Sequence, residues 1–341
     1  MCIRDRLELT LTGSDHQRGL DHGRQFAKEI RDALASFKKT LPKENFAPAI
    51  AKTVEFLGDT FPGINEQLRG ISEAAAVSFD DVFLFNNRAI VDLVDETCSD
   101  VAVQNPDGTV IVGMNKDRPA PMKPYDKHFL SRIYPAEGYA SIGYGHVGRI
   151  WGHGMNEKGL CTAGTAAHPL KNKARLPSFG SYFVAPLVLS RCQNVPEALA
   201  LLEKIDPICD SGNYLFCDAT GDMAVVEVTP DQRVVRKAED GRIVATTYFG
   251  SGQIEHRKNP AHLTESKERN CTIEDCLADK REITLEEMQN ILRQHREGGP
   301  VCRHESTGVM TVFSWIALPQ TLEFYFCPGL PCQGTYEKYG L

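Results

Sequence analysis

The spacing of hydrophobic positions changes near residue 98. Before it, apolar residues recur at the helical period: HGRQFAKEIRDALASFKKTL sets Phe26, Ile30, Leu34 and Phe37 on one stripe, and INEQLRGISEAAA repeats the pattern. Ser78, with Asp81 three residues on, makes a capping-box-like start for the helix DDVFLFNNRAI. After residue 98 the period is two, in CSDVAVQ, TVIVGMN, YASIGYG, RIWGHGM, LCTAGTA, NYLFCDA, MAVVEVT, RVVRKA, RIVATTYF, TVFSWIAL and LEFYFC. NPDG at 105–108, NEKG at 156–159, ATGD at 219–222 and EDG at 239–241 are hairpin turns, so the runs they join are antiparallel. Two helical blocks interrupt the strands, NVPEALALLEKI and a stretch from about Pro260 to His295 that contains the capping box Thr284 to Glu287. Antiparallel strands with helical blocks predict a layered α+β domain with two sheets and a helical N-terminal segment.

Composition changes this picture little. The 341 residues are 42% hydrophobic and 24% charged, ordinary for a globular chain with a large core. A net charge of -7 gives no footprint for nucleic acid, and no run approaches the length of a membrane span. The start, MCIRDRLELT, lacks the apolar core of a secretory signal, which points to the cytoplasm, although MCIRDR reads as a gene-calling scar that leaves room for a lost signal peptide. The 11 cysteines are odd in number and scattered, so they are not a disulfide framework. Cys271 with Cys276, and Cys327 with Cys332, have no histidine or second pair at zinc-finger spacing, so no metal or other cofactor is expected.

One thiol stands apart. Cys98 opens the run CSDVAVQ, and closing the hairpin at NPDG makes paired residue numbers sum to about 213, give or take one for a bulge. Cys98 then faces Asn115, with Asp117 within reach. Spacing alone favours an ordinary polar strand end over a nucleophile with a carboxylate beside it. A catalytic thiol needs a base, because an isolated cysteine is mostly protonated at neutral pH. His146, His153, His168 and His304 are candidates for a Cys-His pair of the papain kind, although such nucleophiles open helices rather than strands. The other possible base is the α-amine of Cys98 itself, which requires the Thr97-Cys98 bond to be cut.

The motifs RGLDHGRQ, GISEAAAVSFDDVFLFNNR, CSDVAVQNPDGTVIVGMNKD, GMNEKGL, NYLFCDATGD, GRIVATTYF and CRH, taken in order, resemble the isopenicillin N acyltransferase-like family, self-cleaving cysteine members of the N-terminal nucleophile hydrolase superfamily. The resemblance implies a four-layer αββα sandwich formed by a single catalytic domain over 1–341. Residues 1–97 would be an α segment and 98–341 a β segment, the two staying associated after self-cleavage. It makes Cys98 the nucleophile, Asp117 the carboxylate that orients its α-amine and Arg303 the motif arginine near it. Asn115 is a support for the hairpin end and Asn213 a further polar site residue. Two positions depart from the family pattern. Thr97 precedes the nucleophile where glycine is common, and Thr247 stands where an asparagine commonly donates to the oxyanion, a donor worth roughly 3 kcal/mol. The implied activity is amide cleavage or acyl transfer on a small acylated amine, amino-acid or peptide-like substrate, with an acyl-CoA donor also in range. An unprocessed thiol peptidase and a non-catalytic binding protein are the alternatives.

Overall fold

A computed structural model describes residues 8–91, 97–120, 127–150, 152–167, 175–206, 208, 211–256, 260–278 and 280–341. The N-terminal part consists of strand β1 (Glu8–Gly13) and helices α1 (Asp15–Gln25), α2 (Ala27–Lys38), α3 (Ala47–Thr60), α4 (Pro62–Ala75) and α5 (Phe79–Asn86). Strands β2 (Thr97–Gln104), β3 (Val110–Pro119), β4 (His128–Pro135), β5 (Ser141–His146), β6 (Gly154–Asn156) and β7 (Cys161–Ala166) follow, then α6 (Val184–Arg191) and α7 (Val195–Lys204). The chain ends with β8 (Gly212–Cys217), β9 (Met223–Val228), β10 (Arg233–Lys237), β11 (Arg242–Ala245), α8 (Pro260–Ala278), α9 (Leu285–Leu292), β12 (Val309–Leu318), β13 (Glu323–Pro328) and β14 (Glu337–Gly340).

The strands form an eight-stranded sheet, ordered β1-β4-β5-β6-β7-β8-β9-β10, and a six-stranded sheet, ordered β11-β2-β3-β12-β13-β14. Three buried clusters define the layers. Phe26, Ile30, Phe85 and Val188 from the helices meet Phe129, Phe216 and Val226 on the outer face of the larger sheet. Cys98, Met114, Tyr144, Leu215 and Trp315 fill the space between the sheets. Val101, Ile111 and Ile316 carry Ile273, Met288 and Ile291 of α8 and α9 on the outer face of the smaller sheet. The result is the expected αββα sandwich, since each sheet buries both faces and neither could do so alone.

Several local expectations are refined. β1 lies inside the stretch read as helical; its alternation buries Leu9 and Leu11, and it pairs with β4 in parallel, while the other pairings are antiparallel. Ser78 is the N-cap of α5 without a side-chain capping bond, whereas Thr284 and Glu287 form the full capping box of α9. GRIVATTYF leaves the sheet at Ala245, so Thr246–Phe249 form an irregular segment rather than strand. No helix among the described residues is long and apolar enough to cross a membrane.

The hairpin register differs by one from the simple sum. Asn105 N donates to Thr109 O at 2.8 Å and Gly108, at φ 88°, donates to Asn105 O, a three-residue loop with a glycine bulge. Gln104 therefore faces Val110 and Cys98 faces Lys116, while Asn115 faces Ser99 and Asp117 faces Thr97.

Helices α1 and α4 touch backbone to backbone. A Cβ on Gly19 would sit 2.1 Å from Gln67 O, and one on Gly70 would sit 2.3 Å from His16 O. Gly19→Ala should therefore destabilise the protein by about 2 kcal/mol in chemical denaturation, the scale of an overpacked core. Gly58→Ala, at an exposed turn of α3 where a Cβ would meet Asn65 Nδ2 at an ordinary 3.9 Å, should be neutral or stabilising because alanine favours helix. Equal effects at the two positions would contradict this packing.

Candidate active site

Three chain segments meet at the ends of β2 and β3. The pleat sends Cys98 and Lys116 into the space between the sheets, and Thr97, Asn115 and Asp117 to the side covered by α8 and α9. Cys98 is fully buried, with Lys116 Nζ donating to its Sγ at 3.4 Å. Its backbone N donates to Thr247 Oγ1 at 3.5 Å. Thr247 thus lies against the nitrogen of the Thr97-Cys98 peptide bond, on the other side of which Arg303 Nη1 donates to Thr97 Oγ1 at 3.2 Å.

Asp117 is buried, and its Oδ1 accepts from Thr311 Oγ1 at 2.7 Å. Thr311 in turn accepts from Arg303 N at 2.9 Å. This contact depends on a bulge in β12, where the pairing with β3 shifts between Thr311 and Phe313. Asp117 Oδ2 has no hydrogen-bond partner among the described residues. Burial raises the Asp117 carboxyl above its ordinary range, opposed by the positive charges of Arg303 and Arg269. Burial likewise lowers the Arg303 guanidinium, with Asp117 acting against it.

Behind these residues, α8 supplies an ion network at i, i+4 spacing. Glu265 accepts from Arg269 Nη1 at 2.5 Å and pairs with Arg303 Nη2 at 3.4 Å, and Arg269 Nη2 donates to Thr247 Oγ1 at 3.2 Å. Asp100, two residues along β2 on the Cys98 face, is fully buried, and both its carboxylate oxygens are without a hydrogen-bond partner among the described residues. Burial pushes its carboxyl well above the ordinary range, against the charge of Lys116.

Asn115 and Asn213 sit further out. Asn115 Nδ2 donates to Leu292 O and Val301 O, tying the end of α9 to β3. Asn213 Nδ2 donates to Thr165 Oγ1, Thr246 O and Tyr248 O, which fixes the irregular segment on both sides of Thr247. Of the candidate histidines, His146 lies against Phe85 and His128, His153 lies against Tyr144, and His304 meets His295 and Cys332. His168 lies outside the described residues. Cys161, Cys192 and Cys217 are buried thiols that burial pushes upward, a structural rather than a reactive setting.

Lys116, Asp100, Glu265, Arg269 and Thr311 escaped the sequence reading. Lys116 follows once the hairpin register is known, and Glu265 and Arg269 form a readable helical pair whose facing strand is not readable. A cavity of about 620 Å³ lies between α1, α4, α6 and the larger sheet, lined by Arg18, His22, Arg149 and His153 among others. None of Cys98, Asp117, Thr247 and Arg303 lines it. Its described lining includes no cysteine, so the strand-end geometry around Cys98 is the better guide to thiol chemistry.

A four-layer αββα sandwich with a cysteine at the head of a strand facing the inter-sheet space defines the N-terminal nucleophile class of fold. The chain belongs to the acyl-coenzyme A:6-aminopenicillanic acid acyl-transferase family, whose model matches residues 103–330. The match includes Asp117, Thr247 and Arg303 and begins five residues after Cys98. Among solved structures, the chain is similar to penicillin V acylase from Agrobacterium tumefaciens (TM-score 0.48, 13% identity, covering 72% of this chain and 86% of that one). It is also similar to a variant of conjugated bile acid hydrolase from Clostridium perfringens (TM-score 0.45, 17% identity, 72% and 97%). A third is the Caenorhabditis elegans ortholog of N-acylethanolamine-hydrolyzing acid amidase (TM-score 0.49, 15% identity, 72% and 100%). No curated protein matches the chain significantly.

The raised Asp100 carboxyl has a definite pH signature. The folded state holds that proton more tightly than the unfolded one, so its contribution to stability is complete below the ordinary carboxyl range, about pH 4, and is lost as pH rises through the folded value. In a Cys98→Ala background, Asp100→Asn should unfold at a higher temperature than its parent at pH 7, with the gap closing toward pH 4. A gap independent of pH, or a loss at pH 7, would show that Lys116 and Arg269 compensate the charge fully.

Proposed function

We propose that this chain is a self-processing cysteine amidase or acyltransferase whose nucleophile is Cys98. One observation carries the reading: the Thr97-Cys98 bond is held at the sheet end by Arg303 on Thr97 Oγ1 and Thr247 on Cys98 N, with the thiol beside a buried lysine. Membership of an acyl-transferase family supports it. Cys98 is fully buried in the continuous chain, so the reading requires the site to open before a substrate reaches the thiol.

In the processing step, Cys98 Sγ attacks the Thr97 carbonyl carbon, the C-N bond breaks, and the nitrogen leaves with the thiol's proton as the α-amine of Cys98. Thr97 is then held as a thioester on Sγ, which water hydrolyses to a Thr97 carboxylate and a free thiol. Lys116 lowers the cost of the thiolate by placing a positive charge against it. Asp117 Oδ2, without a partner among the described residues, is an available acceptor for the new α-ammonium. The same thiol and amine then act on substrate: the amine takes the proton, Sγ carries the acyl group, and water or an acceptor amine removes it. The substrate class is a small acylated amine or an acyl thioester of the coenzyme A kind named in the family's description. Thr247, pinned by Arg269 and by Asn213, offers a hydroxyl where the resembled family has an amide, so oxyanion stabilisation there would rest on a single rotatable O-H in place of an NH2 group.

Denatured intact mass of the purified protein should reveal two pieces, residues 1–97 and residues 98–341, the second starting at Cys98. Cys98→Ala should leave one chain and remove turnover of acyl-amine substrates. An uncut chain that still hydrolyses amides would point to the unprocessed thiol-peptidase mechanism, and an uncut inert chain to a binding protein. In processed enzyme, Lys116→Met should move the acid limb of the pH-activity profile upward by about one unit, the effect of removing one nearby opposite charge. An unmoved limb would mean that the α-amine alone sets the thiol.

A further inference from the structure

Away from Cys98, the structure gathers four side chains from two separate connections. His295, Cys302 and His304 lie between α9 and β12, and Cys332 lies between β13 and β14. Their ligand atoms all fall within 4.8 Å of one another. His304 Nε2 is 3.1 Å from His295 Nε2 and 3.4 Å from Cys332 Sγ. Around a tetrahedral zinc ion, with bonds of about 2.0 to 2.1 Å to nitrogen and about 2.3 Å to sulfur, neighbouring ligand atoms are about 3.3 Å apart for two nitrogens and about 3.5 Å for nitrogen and sulfur. The observed spacings are close to both. An N-H···N bond would account for the first distance and hydrogen bonding between Cys302 and Cys332 for the approach of the two sulfurs, but neither by itself brings all four donor atoms to one point.

The surroundings resemble a clip. Val301 N and Cys302 N both donate to Gln294 O, closing the loop that carries His295 and Cys302. Arg293 Nε donates to Pro331 O at 2.9 Å, holding the Cys332 turn against the end of α9. Cys302 is buried, His304 and Cys332 are half-buried and His295 is exposed, so an ion could enter from one side and be enclosed on the other.

We infer that His295, Cys302, His304 and Cys332 form a structural site for a single zinc ion. Two imidazoles and two thiolates are the donor set zinc prefers, and four protein ligands leave no open position for substrate. Binding releases two thiol protons to water, and the two thiolates neutralise the ion. The sequence alone could not propose the site, because Cys332 is distant in the chain from the other three and none of the four falls in a finger-like spacing. Arg303 lies between Cys302 and His304 and points the other way, toward Thr97 and Glu265, so the clip would also fix the backbone that carries the arginine of the Cys98 site. The zinc proposal does not depend on the activity proposed above, and its test reads metal rather than turnover.

Full-length protein, purified without chelator and desalted, should retain one equivalent of zinc by elemental analysis. Replacement with cobalt(II) should give the thiolate-to-cobalt charge-transfer band and the strong visible bands of a tetrahedral site. His295→Ala, at an exposed position that should not impair folding, and Cys332→Ser should each weaken retention at least about tenfold. Cys271→Ser, at an exposed cysteine outside the cluster, should retain the full equivalent. Absence of bound metal and of the charge-transfer band, or equal loss in Cys271→Ser, would overturn the site. So would an intact mass showing Cys302 and Cys332 joined as a disulfide in freshly purified protein.

Discussion

Charge burial at one end of the sandwich is the constraint on which the rest of the site depends. Asp100, Asp117 and Glu265 meet Lys116, Arg269 and Arg303, and all but Glu265 are nearly or wholly shielded from water. A buried charge without a counter-charge is costly, so these residues are tolerable only as a set. That requirement links elements that are otherwise independent: α8 must dock on the smaller sheet with Arg269 inward, β12 must bulge to deliver Thr311, and the segment after α9 must return with Arg303. The result is three basic and three acidic groups around one peptide bond, with burial favouring the protonated form of the two aspartates. In such a place the protonation of a thiol or an amine is set by the protein rather than by solvent.

The sheets exist to make that place. Strands buried on both faces leave few surfaces where a polar group can sit, and the ends of β2 and β3, where the inter-sheet core stops, are one of them. Thr247 reaches it because the chain after β11 abandons the sheet at Ala245, and Asn213 keeps that departure from drifting by bonding to the carbonyls of Thr246 and Tyr248. A residue far from the thiol in sequence and outside its immediate contacts thus decides where its neighbour lies.

Much of this was legible in the chain and some was not, for physical reasons. Alternation or short apolar runs between turn residues located most of the strands but passed over β4 and β14, and NPDG announced the hairpin. Which residue faces Cys98 was not legible, because a glycine bulge at Gly108 adds one residue to the turn and exchanges Asn115 for Lys116. β1 escaped because its two inward leucines are too few to outweigh the helical sequence beside it. The ion network of α8 escaped because amphipathic spacing reports which helix residues lie together but not what they face. The four ligands at His295, Cys302, His304 and Cys332 come from two connections whose meeting is a property of the sheet order alone.

The three-residue loop at Pro106–Gly108 has an influence out of proportion to its position. Surface turns ordinarily tolerate insertions and deletions, and this one is exposed and distant from the thiol along the strands. Yet the count of residues in it decides which β3 side chain stands across from Cys98. Removing one while the loop keeps its shape would bring Asn115 opposite the thiol and turn Lys116 toward the side that carries Arg269 and Arg303. Loop length here is therefore part of the site's chemistry, and relatives of this chain should vary freely in the identity of residues 106 and 107 while keeping their number.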